Sequence, residues 1–183
     1  MNSLFPLVYS IALFIFLFII TFYILKQITN TQKLEKKIFK LQETIKKENV
    51  SYETFYKLGQ LYLKKKLFYK AILLFRQALK AWNPNDKIGL GSLYNTIGFT
   101  YFTLKQYNLA NYYYSIAIKI IPDYTLALTN LGYSYEKLNL SVESYNCYKN
   151  ALVWDPENRL ASSRILIVEK KLKYLVGTSE VQG

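Results

Sequence analysis

Residues 94–122 read YNTIGFTYFTLKQYNLANYYYSIAIKIIP, and their spacing decides the fold. Tyr94, Ile97, Gly98 and Tyr101 share one face of a helix at 3.6-residue periodicity. Ala110, Tyr114 and Ala117 share one face of a second. Small Gly98 and Ala110 let the two helices approach closely, and Tyr94, Tyr101 and Tyr114 fill the space beside them. Pro122 has no N–H to donate and stops the second helix. Such a hairpin cannot bury its apolar face alone, so it needs stacked neighbours.

The neighbours are present. Gly132 follows Gly98 by 34 residues, and Gly59 precedes it by 39, which is 34 plus five. Around Gly59 stand Phe55, Leu58 and Tyr62, then Ala71, Phe75 and Ala78. Around Gly132 stand Leu128, Leu131 and Tyr135, then Ser144, Tyr148, Ala151 and Pro156. The departures are modest. Ser144 stands for a small Ala, Pro84 slips by one place, and five extra residues around Asn85–Gly91 are expected to lengthen a connecting loop.

This periodic pattern resembles the tetratricopeptide repeat (TPR), which implies an all-α solenoid of three helix pairs over 52–85, 91–124 and 125–158. In NYYYS, 111–115, Tyr114 is then the framework aromatic, Tyr113 falls where family members often carry Tyr, and only Tyr112 is surplus. After Pro156, NRLASSRILIVEKKLKYLVG predicts a capping helix over 158–177, closed by Gly177. Leu160, Ile165, Val168 and Leu172 would cover the last repeat, with Glu169, Lys170, Lys171 and Lys173 in water. Residues 178–183 are expected to be a disordered tail.

Ahead of the repeats, residues 4–25 read LFPLVYSIALFIFLFIITFYIL, with no charge from Asn2 to Leu25. Twenty-two such residues make about 33 Å of helix, enough to cross a bilayer core of about 30 Å. The uncharged start, the long apolar run and an exit at Lys26-Gln27 favour an anchor, 1–25, over a cleaved signal peptide. The exit is followed by Lys33, Lys36, Lys37, Lys40, Lys46 and Lys47, which places the repeats on the cytoplasm-equivalent side. Within this basic stalk, 26–50, Leu34, Ile38, Leu41 and Ile45 form a narrow apolar stripe, and its lysines suit anionic headgroups.

Composition narrows the chemistry. The net charge is +12, with 24 Lys and Arg against 12 Asp and Glu. There is no histidine, which removes the commonest general base and His-ligated metals. The single cysteine, Cys147, excludes an intramolecular disulfide and a cysteine-rich zinc site; it reads as a buried small hydrophobe. No enzyme activity, cofactor, metal or small-molecule substrate is expected. Lys64-Lys65-Lys66 reads as a solvated turn, and no nucleic-acid-binding motif accompanies it. Lys, Asn, Ile, Phe and Tyr all run high, a bias that AT-rich codons produce, as in an organelle genome.

The TPR resemblance also implies where a partner would sit, on the concave face lined by first helices. There it points to Tyr56, Gln60, Asn95, Phe99, Phe102, Asn130, Tyr133 and Lys137 as a protein-binding groove. Aromatics supply anchors and Asn supplies main-chain hydrogen bonds. Phe102 also falls where repeats carry an aromatic for packing. The carboxylate clamp with which some TPR co-chaperones grip acidic chaperone tails is excluded. Its five positions hold Tyr56, Gln60, Thr96, Leu126 and Asn130, none of the required type.

Anchor, basic stalk, three repeats and cap in a short AT-biased chain without a transit peptide resemble one group in particular. These are the small plastid-encoded, membrane-anchored TPR proteins of algae and cyanobacteria involved in photosystem I assembly. The resemblance implies a single-pass protein, made in the plastid, in the thylakoid membrane with its repeats in the stroma. Its partner would be a photosystem I subunit or another assembly factor. Two alternatives stay open: a membrane-anchored import or secretion receptor, and a scaffold acting through the convex face and the stalk.

Overall fold

Between Leu7 and Ile45 the chain has neither proline nor glycine, and one helix, α1 (Leu4–Ile45), runs unbroken for 42 residues. Pro6 is tolerated because it lies in the first turn, where backbone N–H groups have no helical partner. The computed structural model describes residues 4–46 and 50–180. Asn2, Lys47 and the end of the tail, 181–183, lie outside the described residues. The chain divides into two units, 1–48 and 49–183.

In the first unit the anchor and the basic stalk are one continuous helix, not two segments. Every side chain from Pro6 to Lys33 is exposed. The hydroxyls of Ser10 and Thr21 donate to the carbonyls of Pro6 and Leu17 in the same helix, which leaves them satisfied in an apolar surrounding. Among the described residues this helix alone is long and apolar enough to cross a membrane.

The second unit holds α2 (Tyr52–Lys64), α3 (Phe68–Ala81), α4 (Lys87–Thr103), α5 (Tyr107–Ile120), α6 (Thr125–Lys137), α7 (Ser141–Trp154) and α8 (Arg159–Glu180). Among the described residues there is no strand. Three antiparallel hairpins, α2–α3, α4–α5 and α6–α7, stack in order, and α8 packs on α7. The framework glycines set the hairpin distance. A Cβ on Gly59, Gly98 or Gly132 would lie 2.5, 2.7 or 2.9 Å from the ring of Phe75, Tyr114 or Tyr148 in its own hairpin.

Each hairpin turns in the same way. Lys66, Lys105 and Asn139 take φ of 59°, 60° and 60°. The N–H groups of Leu67, Gln106 and Leu140 then reach back to the carbonyls of Tyr62, Tyr101 and Tyr135 at 2.9, 3.0 and 3.0 Å. This is the Schellman closure, which satisfies the last carbonyls of each first helix.

The core is continuous from repeat to repeat. Phe75 of α3 packs with Leu93 and Ile97 of α4; Tyr114 of α5 packs with Leu131 of α6 and Cys147 of α7. Tyr148 and Ala151 of α7 close on Ala161 and Val168 of α8, with Ile165 and Leu172 beside them.

Three local expectations are corrected. The five extra residues do not lengthen a loop: α4 begins at Lys87 and has 17 residues, against 13 in α2 and α6. Asp86 caps the added turn, accepting from the Gly89 N–H at 2.9 Å and from the Trp82 indole at 3.2 Å. In α8, Leu160 is half exposed and Ala161 points inward in its place. The same helix continues past Gly177 to Glu180, so its end falls three residues beyond the expected stop.

Candidate functional site

The first helices α2, α4 and α6 line a groove of about 710 Å³. Gln60, Leu63 and Lys64 come from α2, and Asn95, Thr96, Phe99 and Thr103 from α4. Leu126 and Asn130 come from α6. Lys66 in the first turn and Phe68 at the start of α3 close one end.

The middle of the groove is organised by one amide pair. Asn130 Nδ2 donates to Asn95 Oδ1 at 3.0 Å, across 35 residues of sequence, and Asn95 is only 7% exposed. Thr96 and Thr103 spend their hydroxyls on the carbonyls of Ser92 and Phe99, both at 2.8 Å. By contrast, Phe99 and Leu126 are 47% and 51% exposed. Two large apolar side chains left in water within a concavity, beside amides, have the make-up of a protein-binding patch. Among the described residues no carboxylate lines the groove, while Lys64 and Lys66 are exposed at its end.

The structure therefore brings together Gln60, Asn95, Phe99 and Asn130 of the eight residues expected from sequence. The other four stand elsewhere. Tyr56 packs on Phe75 and Trp82, at ring distances of 5.9 and 5.6 Å. Phe102 lies between Tyr107 and Tyr133, 5.3 Å from each. Tyr133 carries the Lys137 ammonium at 4.8 Å and the Arg164 guanidinium at 4.6 Å over its ring. Lys66 and Phe68 were missed because the repeat rule considers first helices only. An aromatic immediately after a lysine-rich turn is the signal that would have found Phe68.

Beside Tyr133 runs a partly buried polar chain. The Tyr148 hydroxyl donates to Glu136 at 2.5 Å, and Glu136 meets Arg164 at 3.7 Å. Burial, then the Glu136 bond, pushes the Tyr148 phenol well above its ordinary value. Burial also pushes the Cys147 thiol up to about 12, with Glu143 adding to the shift. A thiol held protonated is a poor nucleophile. In NYYYS, Tyr114 is buried and Tyr113 stacks on Tyr101 at 5.3 Å, while Tyr112 is 60% exposed. Among the described residues no group of three His, Cys, Asp or Glu is placed to hold a metal ion. What the groove offers is shape, apolar surface and amides.

Comparison with known proteins agrees with this architecture. Residues 52–83 match the tetratricopeptide repeat family model. The chain is 37% identical to the protein ycf37 of Guillardia theta over 172 residues, covering 94% of this chain and 97% of that one. It is 27% identical to the chloroplastic tetratricopeptide repeat domain-containing protein PYG7 of Arabidopsis thaliana, over 89% of this chain and 54% of that longer protein. The fold also matches the crystal structure of MamA, with a TM-score of 0.70 at 19% identity over 79% of this chain and 81% of that one. The chain belongs to the ycf37 family of tetratricopeptide repeat proteins.

Proposed function

We propose that this chain is a membrane-anchored protein-binding module that assists photosystem I assembly in a plastid. It holds a photosystem I subunit or a second assembly factor at the thylakoid surface, with the repeats in the stroma. The observation that carries the reading is the groove, where Phe99 and Leu126 stand half exposed beside the Asn95–Asn130 pair. Tetratricopeptide repeats act as protein-interaction modules, and none of the groove residues needs to do chemistry in such a role. The chloroplastic name of the Arabidopsis relative supports the compartment. The exposed apolar run of α1 supports the anchor, and the lysines that follow it support the stromal side. An anchor confines the groove to the membrane and raises the effective concentration of a weak partner there.

The test is to tag the C-terminus, solubilise membranes gently and identify what co-migrates, alongside deletion of the gene. The reading expects photosystem I subunits or an assembly factor on the tagged chain, and reduced photosystem I content in the deletion. Normal photosystem I content together with no such co-migration contradicts it.

A further inference from the structure

The solenoid is polarised by charge from edge to edge. Antiparallel hairpins bring the three intra-hairpin turns to one edge and the three inter-hairpin loops to the other. The turns read KKKL (64–67), TLKQ (103–106) and KLNL (137–140), with five lysines and no carboxylate. The loops read WNPND (82–86), IPDY (121–124) and DPEN (155–158), whose four carboxylates are balanced by Lys80, Lys87, Lys119 and Arg159 beside them, so this edge is close to neutral. Lys171 of α8 joins the basic edge, donating to Asn139 Oδ1 at 3.0 Å.

The basic side chains are outward. Lys64, Lys66, Lys105 and Lys137 are all exposed. Nearby carboxylates do little to cancel them. Glu136 is turned inward to Tyr148 and Arg164. Glu143, in the first turn of α7, offsets one of them, and Lys70, in the first turn of α3, adds one more cation to the edge. Between the lysines, Leu67 and Leu140 sit one place after the left-handed turn residues, 37% and 39% exposed.

We propose that this turn edge of the solenoid rests on an anionic lipid surface. The inference relies on the membrane anchoring proposed above, which keeps the edge within reach of a bilayer. Three features favour lipid over nucleic acid or an acidic protein. The charges follow one another along three successive turns, and although Lys64 and Lys66 also border the end of the groove, Lys105 and Lys137 do not line it, so the row as a whole meets a surface and does not enclose a ligand. They are all lysines, which respond to charge density, where arginine would grip single phosphates with a bidentate fork. They are interleaved with exposed leucines, and the exposed Tyr69 beside the first turn is of a type that also sits at the headgroup–acyl boundary. Held this way, the edge adds an electrostatic contact to the tether and limits how the groove can turn relative to the membrane.

The test uses the full chain in nanodiscs of phosphatidylcholine alone or of a two-to-one mixture of phosphatidylcholine and phosphatidylglycerol. Lysine acylation rates are read by mass spectrometry. In the anionic discs Lys64, Lys66, Lys105 and Lys137 should react about three- to fivefold more slowly, as expected for ammonium groups held at such a surface. Lys80, Lys87 and Lys119, at or near the opposite edge, should not change. Raising salt should abolish the difference. Reversing two charges, Lys66→Glu with Lys105→Glu, should remove the protection of Lys64 and Lys137. Equal rates in both discs overturn the proposal, as does protection that is independent of lipid and lost on nuclease treatment. Alkaline carbonate extraction scores the anchoring separately: a chain that resists extraction but shows equal rates refutes the edge contact alone.

Discussion

Asn130 gives its side-chain N–H to the Asn95 side-chain oxygen at 3.0 Å, tying α6 to α4 inside the groove. The two helices belong to successive hairpins, so the bond links repeat to repeat at the surface a partner would meet. Asn95→Ala leaves the Asn130 amide without this partner and should cost about 1–2 kcal/mol. In a double-mutant cycle with Asn130→Ala, the two losses should fall short of additivity by about 1 kcal/mol. Denaturant unfolding in detergent, followed by far-ultraviolet circular dichroism, checks this; strict additivity would show that the pair carries no coupling.

Gly98 is held against Tyr114 by the packing of its hairpin. An alanine Cβ there would lie 2.7 Å from a ring carbon that is buried and has no room to swing. Replacing a helical glycine by alanine ordinarily returns about 1 kcal/mol. Overpacking costs about 1–3 kcal/mol and should win here. Gly98→Ala is therefore expected to lower stability by about 1 kcal/mol, visible as a lower thermal midpoint. A rise would mean that Tyr114 has space the packing does not indicate.

Lys105 takes φ of 60° although it has a Cβ, a conformation that costs an ordinary residue about 1–2 kcal/mol. Asn139, at the equivalent turn, is of a type that tolerates it. Lys105→Gly should relieve the strain, partly offset by the freer unfolded chain, for a net gain of about 0.5–1 kcal/mol. The thermal midpoint should rise by about 2 °C. No rise would show that the turn is not strained.

Alkaline pH should unfold the solenoid from a defined starting point. Burial raises the Cys147 thiol from an ordinary 9.0 to about 12 in the folded chain. The unfolded chain loses this proton first. Stability is thus full below about pH 9 and falls as pH rises toward 12, by about 1.4 kcal/mol per pH unit. Tyr114 and Tyr148, whose phenols are also raised chiefly by burial, add their loss above pH 10. Denaturant midpoints across pH 7–11 should be flat and then fall, and Cys147→Ala should move the onset from 9 to 10. An unchanged onset in that variant contradicts the assignment.

The repeat was legible because its signals are local. Gly98, Tyr101, Ala110 and Tyr114 pack within one hairpin, so their spacing in sequence is their spacing in space. The added turn of α4 was not, because DKIGLG has the look of a loop. Its glycines serve close approach in a helix: a Cβ on Gly91 would meet Ile121, far along the chain. The groove was half legible for the same reason. Position within a repeat placed Phe99 and Asn130, but Tyr56 was drawn aside by Trp82 and Tyr133 by Arg164 of α8, partners that no repeat rule contains.

The proposed function requires that the exposed pair Phe99 and Leu126 anchor a protein partner. Both side chains are half in water, so Phe99→Ala with Leu126→Ala should change stability by less than about 1 kcal/mol. Loss of two apolar anchors should weaken capture by at least about tenfold. The direct measurement is the yield of photosystem I subunits and assembly factors co-purifying with the tagged full chain, wild type against the double variant. A folded, membrane-retained variant that recovers at least about tenfold less partner is expected; undiminished recovery would show that Phe99 and Leu126 anchor no partner.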